Sequence, residues 1–153
     1  MQNITIPQLI SKYEKIPGGL MPLLHAIQDE LGYIPNDVVP NIALGLNLSR
    51  AEVHGVITYY HFFRTTPPGK HVIQVCRAEA CQACGAEELL SVLESSLNCK
   101  RNQTRYDEKI TLEAVYCLGL CATSPAVQID NKLYANVTTE KLKDLFGELE
   151  INP

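Results

Sequence analysis

Six cysteines are the residues of this chain best suited to chemistry, and four of them fall into two close pairs. Cys76 and Cys81 have four residues between them, Cys117 and Cys121 have three, and thirty-five residues separate the pairs. Cys84 and Cys99 stand outside both. A cluster of two irons and two sulfides takes two thiolates on each iron, so two short-spaced pairs on neighbouring loops would suit it. The same residues admit other chemistry. Cys76, Cys81 and Cys84 reproduce the first three spacings of a plant-type ferredoxin, with Cys117 or Cys121 as fourth ligand. That arrangement leaves one member of a close pair without a task. Cys81-Gln82-Ala83-Cys84 has the spacing of a redox dithiol at a helix start, but it employs none of Cys76, Cys117 and Cys121. Tetrahedral zinc also accepts four thiolates at these spacings and stays open. The two-iron cluster is the leading reading. Cys84 and Cys99 are expected to be small buried apolar residues, Cys84 on the first turn of a helix facing the sheet.

The paired cysteines need elements that bring them together, and the flanking residues indicate which. His71 to Cys76 alternates as a short strand, Gly85 to Leu97 places Leu89, Leu90 and Leu93 on one helix face, and Ile110 to Cys117 reads as a second strand. Strands joined by a helix in this way run parallel, so their carboxyl ends share one sheet edge and both cysteine pairs arrive there. Ala126 to Ile129 and Lys132 to Val137 flank Asp130-Asn131 as a hairpin. A last helix from Thr139 carries Leu142, Leu145, Phe146 and Leu149 on one stripe. Gly119, inside the second pair, suits a loop of positive φ whose backbone N–H groups point at sulfur. Ser124-Pro125 stands where a cis-proline turn would lie beside the site, although trans proline has the larger base rate.

Upstream, the pattern is helical. Pro22 in a first turn, Leu23, Leu24, Ile27 and Leu31 at helical spacing and a closing Gly32 define one helix. A second runs from Asn36-Asp37 to about Leu46 with Pro40 in its first turn, and a third follows the capping-box residues Ser49 and Glu52 through Tyr60. Thr65-Thr66-Pro67-Pro68-Gly69-Lys70 can continue neither helix nor strand. The expectation is therefore an α/β (α+β) chain: a three-helix segment over 1–66, then a thioredoxin-like βαβ-ββα domain over 67–153.

Composition removes several function classes. With 153 residues and 46% hydrophobic content the chain can fill a core. A net charge of -4 and scattered Lys and Arg give no footprint for nucleic acid. No stretch reaches the roughly 18 apolar residues of a membrane helix, and the first thirty residues lack a signal-peptide pattern, so a cytoplasmic location without membrane insertion is expected. In that reducing compartment, paired cysteines are more naturally metal ligands than disulfides. His25, His54, His61 and His71 have no Cys-x-His or His-x-x-His spacing that would suggest a Rieske centre. Neither a G-x-G-x-x-G nor a P-loop motif occurs, so a nucleotide or flavin would sit on a partner.

The stretches GKHVIQVCRAEACQACGAEELL and KITLEAVYCLGLCATSPAVQIDNKLYANVT resemble the thioredoxin-like 2Fe-2S ferredoxin subunits of complex I, NAD-reducing hydrogenases and NAD-dependent formate dehydrogenases. The likeness extends through LMPLLHAIQDELGYIP and LNLSRAEVHGVITYYHFFR. It implies one 2Fe-2S cluster on Cys76, Cys81, Cys117 and Cys121, with FMN and NAD on a partner subunit and no catalysis by the chain alone. A cysteine at position 84 departs from the family pattern. Cys76 to Gln82 and Ser49 to Thr58 look most like the gamma subunit of molybdenum-containing formate dehydrogenase, which implies a molybdenum-containing catalytic subunit beyond the flavin- and NAD-binding one. A homodimer of the isolated chain is also compatible with the sequence.

Overall fold

The computed structural model describes residues 5–148. The chain divides between Pro67 and Pro68 into two compact units.

The N-terminal unit is built from α1 (Ile6–Tyr13), α2 (Leu20–Leu31), α3 (Val39–Gly45) and α4 (Arg50–Tyr59), with a 3-10 turn over Asn36–Val38 leading into α3. The expected three helices are thus preceded by a fourth. Its signal lies in Thr5-Ile6-Pro7-Gln8: Pro7 occupies the first turn, and the Gln8 Oε1 accepts the Thr5 N–H at 2.8 Å. Leu23, Leu24 and Ile27 of α2 are fully buried and meet Leu9 and Ile10 of α1, Ile42 of α3, and Val53 and Ile57 of α4 in one core. Gln28 is the buried polar residue of this unit. Its amide donates to the Phe62 carbonyl at 2.9 Å and accepts the Arg64 N–H at 2.7 Å, which fixes the segment after α4 onto α2. Ser49 caps α4 as the sequence indicates, with its Oγ accepting the Glu52 N–H at 3.2 Å and the Glu52 carboxylate accepting the Ser49 N–H at 2.7 Å.

The C-terminal unit is a mixed sheet with helices. Its elements are β1 (His71–Cys76), α5 (Glu79–Ala83), α6 (Ala86–Ser96), β2 (Gln103–Thr104), β3 (Ile110–Val115), β4 (Val127–Ile129), β5 (Lys132–Tyr134) and α7 (Thr139–Glu148), with a 3-10 turn at Cys121–Thr123. The strand order is β2-β3-β1-β4-β5. β1 and β3 are parallel in the register Cys76 opposite Val115, while β4 is antiparallel to β1 and β5 to β4. Ile73 and Val75 of β1, Ile110 and Leu112 of β3, and Val127 and Ile129 of β4 pack with Leu89, Leu90 and Leu93 of α6 and with Leu142, Leu145 and Phe146 of α7. Leu149, expected on the same stripe, lies outside the described residues.

Several boundaries differ from expectation for local physical reasons. β3 stops at Val115 instead of Cys117, because Cys117 adopts φ +130° and leaves the extended conformation. β5 ends at Tyr134 instead of Val137, with Asn136 at positive φ just after it. The helix expected from Gly85 begins at Ala86 and is preceded by the separate short α5. β2, two residues long, is too short to show any alternation in the sequence. Gly69 begins the strand region at a close approach: a Cβ there would stand 2.7 Å from the Ile110 backbone nitrogen.

Candidate metal centre

β1 and β3 run parallel and in register, so the chain leaves both at the same sheet edge, and the four paired cysteines belong to the segments that follow. Cys76 closes β1, Cys81 sits in α5, Cys117 lies two residues past β3 and Cys121 opens the 3-10 turn. The pairs differ in setting. Cys76 and Cys81 are each 1% exposed and pack with Ala86, Ala126, Leu118 and Leu120 in a small apolar cluster of their own. Cys117 and Cys121 are exposed, with their sulfurs 3.7 Å apart. All six cysteines are free thiols.

Hydrogen-bonding groups lie beside these sulfurs. The Gly119 N–H donates to the Cys117 sulfur at 3.3 Å, from a glycine at φ +78° with open space where a Cβ would stand. The Ser124 hydroxyl donates to the Cys121 carbonyl at 2.9 Å and lies 3.4 Å from the Cys81 sulfur, a contact in which either atom can donate. The backbone at Ala78 and Leu118 draws the Cys76 thiol downward, and that at Ala126 does the same for Cys81. Leu118 and Leu120 belong to the second cysteine segment and pack against Cys76 and Cys81 of the first, so this apolar contact joins the two halves of the site.

The thiols influence one another. Burial pushes the Cys76 thiol up, reinforced by its hydrogen bond with Cys81. Burial presses Cys81 upward too, but hydrogen bonds from Ser124, Cys76 and Ala126 outweigh it and bring that thiol down. Cys121 is raised by its hydrogen bond with Cys117, then by the charges of Cys117, Cys81 and Cys76. Each pair thus contains a thiol that resists ionisation beside its neighbour. Ionising all four together therefore calls for a positive centre between them, and the Gly119 N–H is placed to stabilise negative charge on the Cys117 sulfur. The donor set fits an iron–sulfur cluster. Among the described residues no three metal-ligating side chains close on a common point; the sulfurs stand as two pairs.

The remaining candidates fall elsewhere. Cys84, expected to be buried against the sheet, is exposed at the C-cap of α5, because the helix expected to carry it begins only at Ala86. Cys99 is buried in the main core as expected, its sulfur 3.3 Å from the Gln103 carbonyl. His25 stacks near Phe62 and Phe63 in the N-terminal unit, and the His71 Nδ1 is 3.0 Å from Asp130. The peptide between Ser124 and Pro125 is cis.

Residues 6–150 match the family described as thioredoxin-like 2Fe-2S ferredoxin, and this match spans nearly the whole chain. The chain belongs to that family. Among the relatives of this thioredoxin-like 2Fe-2S ferredoxin is the NADP-reducing hydrogenase subunit HndA of Solidesulfovibrio fructosivorans, 31% identical over 94% of this chain and 84% of the relative. An NADH-quinone oxidoreductase subunit from Rhizobium meliloti is 33% identical over 88% and 80%. NADH-quinone oxidoreductase subunit 2 of Thermus thermophilus is 34% identical over 86% and 73%. These relatives are subunits of oxidoreductase complexes. In fold, the ferredoxin matches a chain in a crystal structure of an NAD+-reducing NiFe-hydrogenase in the H2-reduced state, with a TM-score of 0.72 and 20% identity. That match covers 86% of this ferredoxin and 22% of the longer chain. No helix among the described residues is long and apolar enough to cross a membrane.

Sequence reasoning finds the four paired cysteines and Gly119 but misses the other residues around sulfur. Ala78, Leu118 and Ala126 pack in the cluster around Cys76 and Cys81, and nothing in their side chains marks them for it. Ser124 is visible as the residue before the proline, yet nothing in its neighbourhood indicates a contact with Cys81.

Proposed function

We propose that this ferredoxin carries one 2Fe-2S cluster on Cys76, Cys81, Cys117 and Cys121 and exchanges single electrons with the FMN of a flavin- and NAD-binding partner subunit. The observation that supports the reading is the arrangement of four free thiols as two close pairs, with Leu118 and Leu120 of the second cysteine segment packed against Cys76 and Cys81 of the first. A two-iron core has two metal positions, each wanting two thiolates, whereas a single zinc ion wants all four on one point. When bound, the cluster supplies one-electron redox chemistry that no side chain of the protein offers.

The chain's own residues hold, shield and tune that chemistry. Cys76 and Cys81, buried beside Leu118 and Leu120, would hold the cluster where water is excluded. Cys117 and Cys121 hold the other side at the surface, which shortens the distance to any docked electron partner. The Gly119 N–H, which donates to the Cys117 sulfur, would lower the cost of added negative charge there and so raise the reduction potential of a bound cluster. Cys84 takes no part in this set.

As to the parent enzyme, the run from Cys76 to Gln82 supports an NAD-dependent formate dehydrogenase, in which a molybdenum-containing subunit lies beyond the flavin subunit. The relatives support an NADH-quinone oxidoreductase or a pyridine-nucleotide-linked hydrogenase as well. In each case a flavin must split electron pairs into the single electrons that a 2Fe-2S centre accepts.

The test of the site is chemical. Protein purified without oxygen is expected to be reddish brown and to hold two irons and two acid-labile sulfides per chain. Cys84→Ala should keep that colour and Cys121→Ala should lose it. A colourless protein with one zinc, or the reverse pattern of variants, defeats the assignment. Purification of the chain with its native partners decides the parent enzyme by whether molybdenum, nickel or a membrane arm accompanies it.

A further inference from the structure

We propose that Arg77 is a positioning residue for the metal centre, holding Cys76, the helix of Cys81 and the segment of Cys117 in fixed register, with Glu87 as its counter-ion. The inference rests on the reading of Cys76, Cys81, Cys117 and Cys121 as cluster ligands.

Arg77 follows Cys76 directly, and its polar groups reach three different elements. Its backbone N–H donates to the Val115 carbonyl at 2.7 Å, extending the β1–β3 ladder one step beyond the pairing of Cys76 with Val115. Its carbonyl accepts from the Gln82 side-chain amide at 2.9 Å, and Gln82 is the neighbour of Cys81. Its guanidinium forks onto the Glu87 carboxylate in the first turn of α6, with Nε to Oε1 at 2.6 Å and Nη2 to Oε2 at 3.1 Å. The Val115 carbonyl that accepts from Arg77 stands two residues before Cys117, where the segment of that cysteine leaves β3. One residue thus touches the segment of every paired cysteine except Cys121.

An ordinary exposed ion pair contributes little. This one differs on two counts. The fork is bidentate, the geometry that gives an arginine–carboxylate pair directional as well as electrostatic value. The Arg77 side chain is 19% exposed and so held in place by its surroundings, while Glu87 at 48% leaves the charges of the pair partly screened. The guanidinium also places a positive charge beside the cysteine segments, which Glu87 largely cancels. Arg77 therefore has two separable effects, one on geometry and one on potential.

Full-length chain, loaded anaerobically with ferrous iron and sulfide, separates them. The readouts are the rate of cluster loss to a chelator, the reduction potential and the EPR spectrum of the reduced protein. Arg77→Gln should lose its cluster roughly 10- to 100-fold faster, the scale typical of groups that orient metal ligands. Arg77→Lys should keep the charge but lose the fork, and so should also lose its cluster faster while its potential stays close to that of the parent. Glu87→Gln retains one acceptor for the guanidinium and removes its counter-charge, so its potential should rise. This variant keeps the inference open to refutation even if Arg77→Gln fails to fold. Chelator kinetics and potentials unchanged across all three variants, on a chain that binds its cluster, overturn the role of Arg77 alone. A parent chain that takes up no cluster overturns the functional reading first and this inference with it.

Discussion

At the scale of single residues, the backbone around the paired sulfurs contributes what no individual side chain announces. Gly119 is the clearest case, because its φ of +78° aims an N–H at the Cys117 sulfur while the position of an added Cβ is empty. Gly119→Ala should therefore meet no clash and lose stability only through the cost of a left-handed backbone, about 1–2 kcal/mol. If the loop relaxes to avoid that cost, the N–H turns away from sulfur and the reduction potential should fall. A redox titration of the loaded variant checks this, and an unchanged potential beside a lower melting temperature would show the glycine to be a turn residue only. Cys84 is instructive in another way. It completes two recognisable cysteine spacings, yet it sits exposed in the junction between α5 and α6 and takes no part in the two pairs.

At the scale of elements, local sequence rules explain where helices begin. The reciprocal bonds of Ser49 and Glu52 satisfy two backbone donors at the start of α4. Ser49→Ala should cost about 1 kcal/mol, read as a lower urea midpoint for the full chain. The hairpin between β2 and β3 is held differently. Arg105 forks onto Asp107 with both bonds at 2.9 Å, and Asp107 also accepts the Lys109 N–H at 3.2 Å. The Arg105 guanidinium holds the Asp107 carboxyl below the usual aspartate range. A carboxyl depressed in the folded state adds stability above its unfolded value and loses it as pH falls through the folded one. The stability of the parent chain should therefore decline on the acid side of the ordinary aspartate value, and Asp107→Asn should flatten that part of the curve. Equal acid slopes for the two proteins in thermal melts would refute it.

At the scale of the whole molecule, the two units carry different duties. All four paired cysteines lie in the unit that begins at Pro68, while the helices before Pro67 have a separate core. Removing iron with a chelator should consequently lower the melting temperature of the C-terminal unit and leave that of the helical unit unchanged, because a ligand stabilises only the fold that binds it. Calorimetry before and after chelation gives the answer, and equal losses in both transitions would contradict it. The hydrogenase and quinone-oxidoreductase relatives align with most of this span, across both units.

Much of this architecture is legible in the sequence because it depends on short-range periodicity. The 2-residue period of His71 to Cys76, the 3.6-residue stripes of α2, α6 and α7, and the Pro67-Pro68 break each reflect which side of a segment meets a core. Short elements escape that logic. α1 has 8 residues and α5 has 5, too few turns for an apolar stripe to stand out from its surroundings.

The sequence by itself placed Cys76 near Cys81 and Cys117 near Cys121, since spacing within a few residues limits how far two thiols can separate. Tertiary structure alone decided which pair is buried, which N–H groups face sulfur, and that Arg77 spans three elements. Those outcomes depend on the parallel register of β1 with β3 and on the direction of the chain as it leaves each strand, and both are set by contacts between residues distant in sequence.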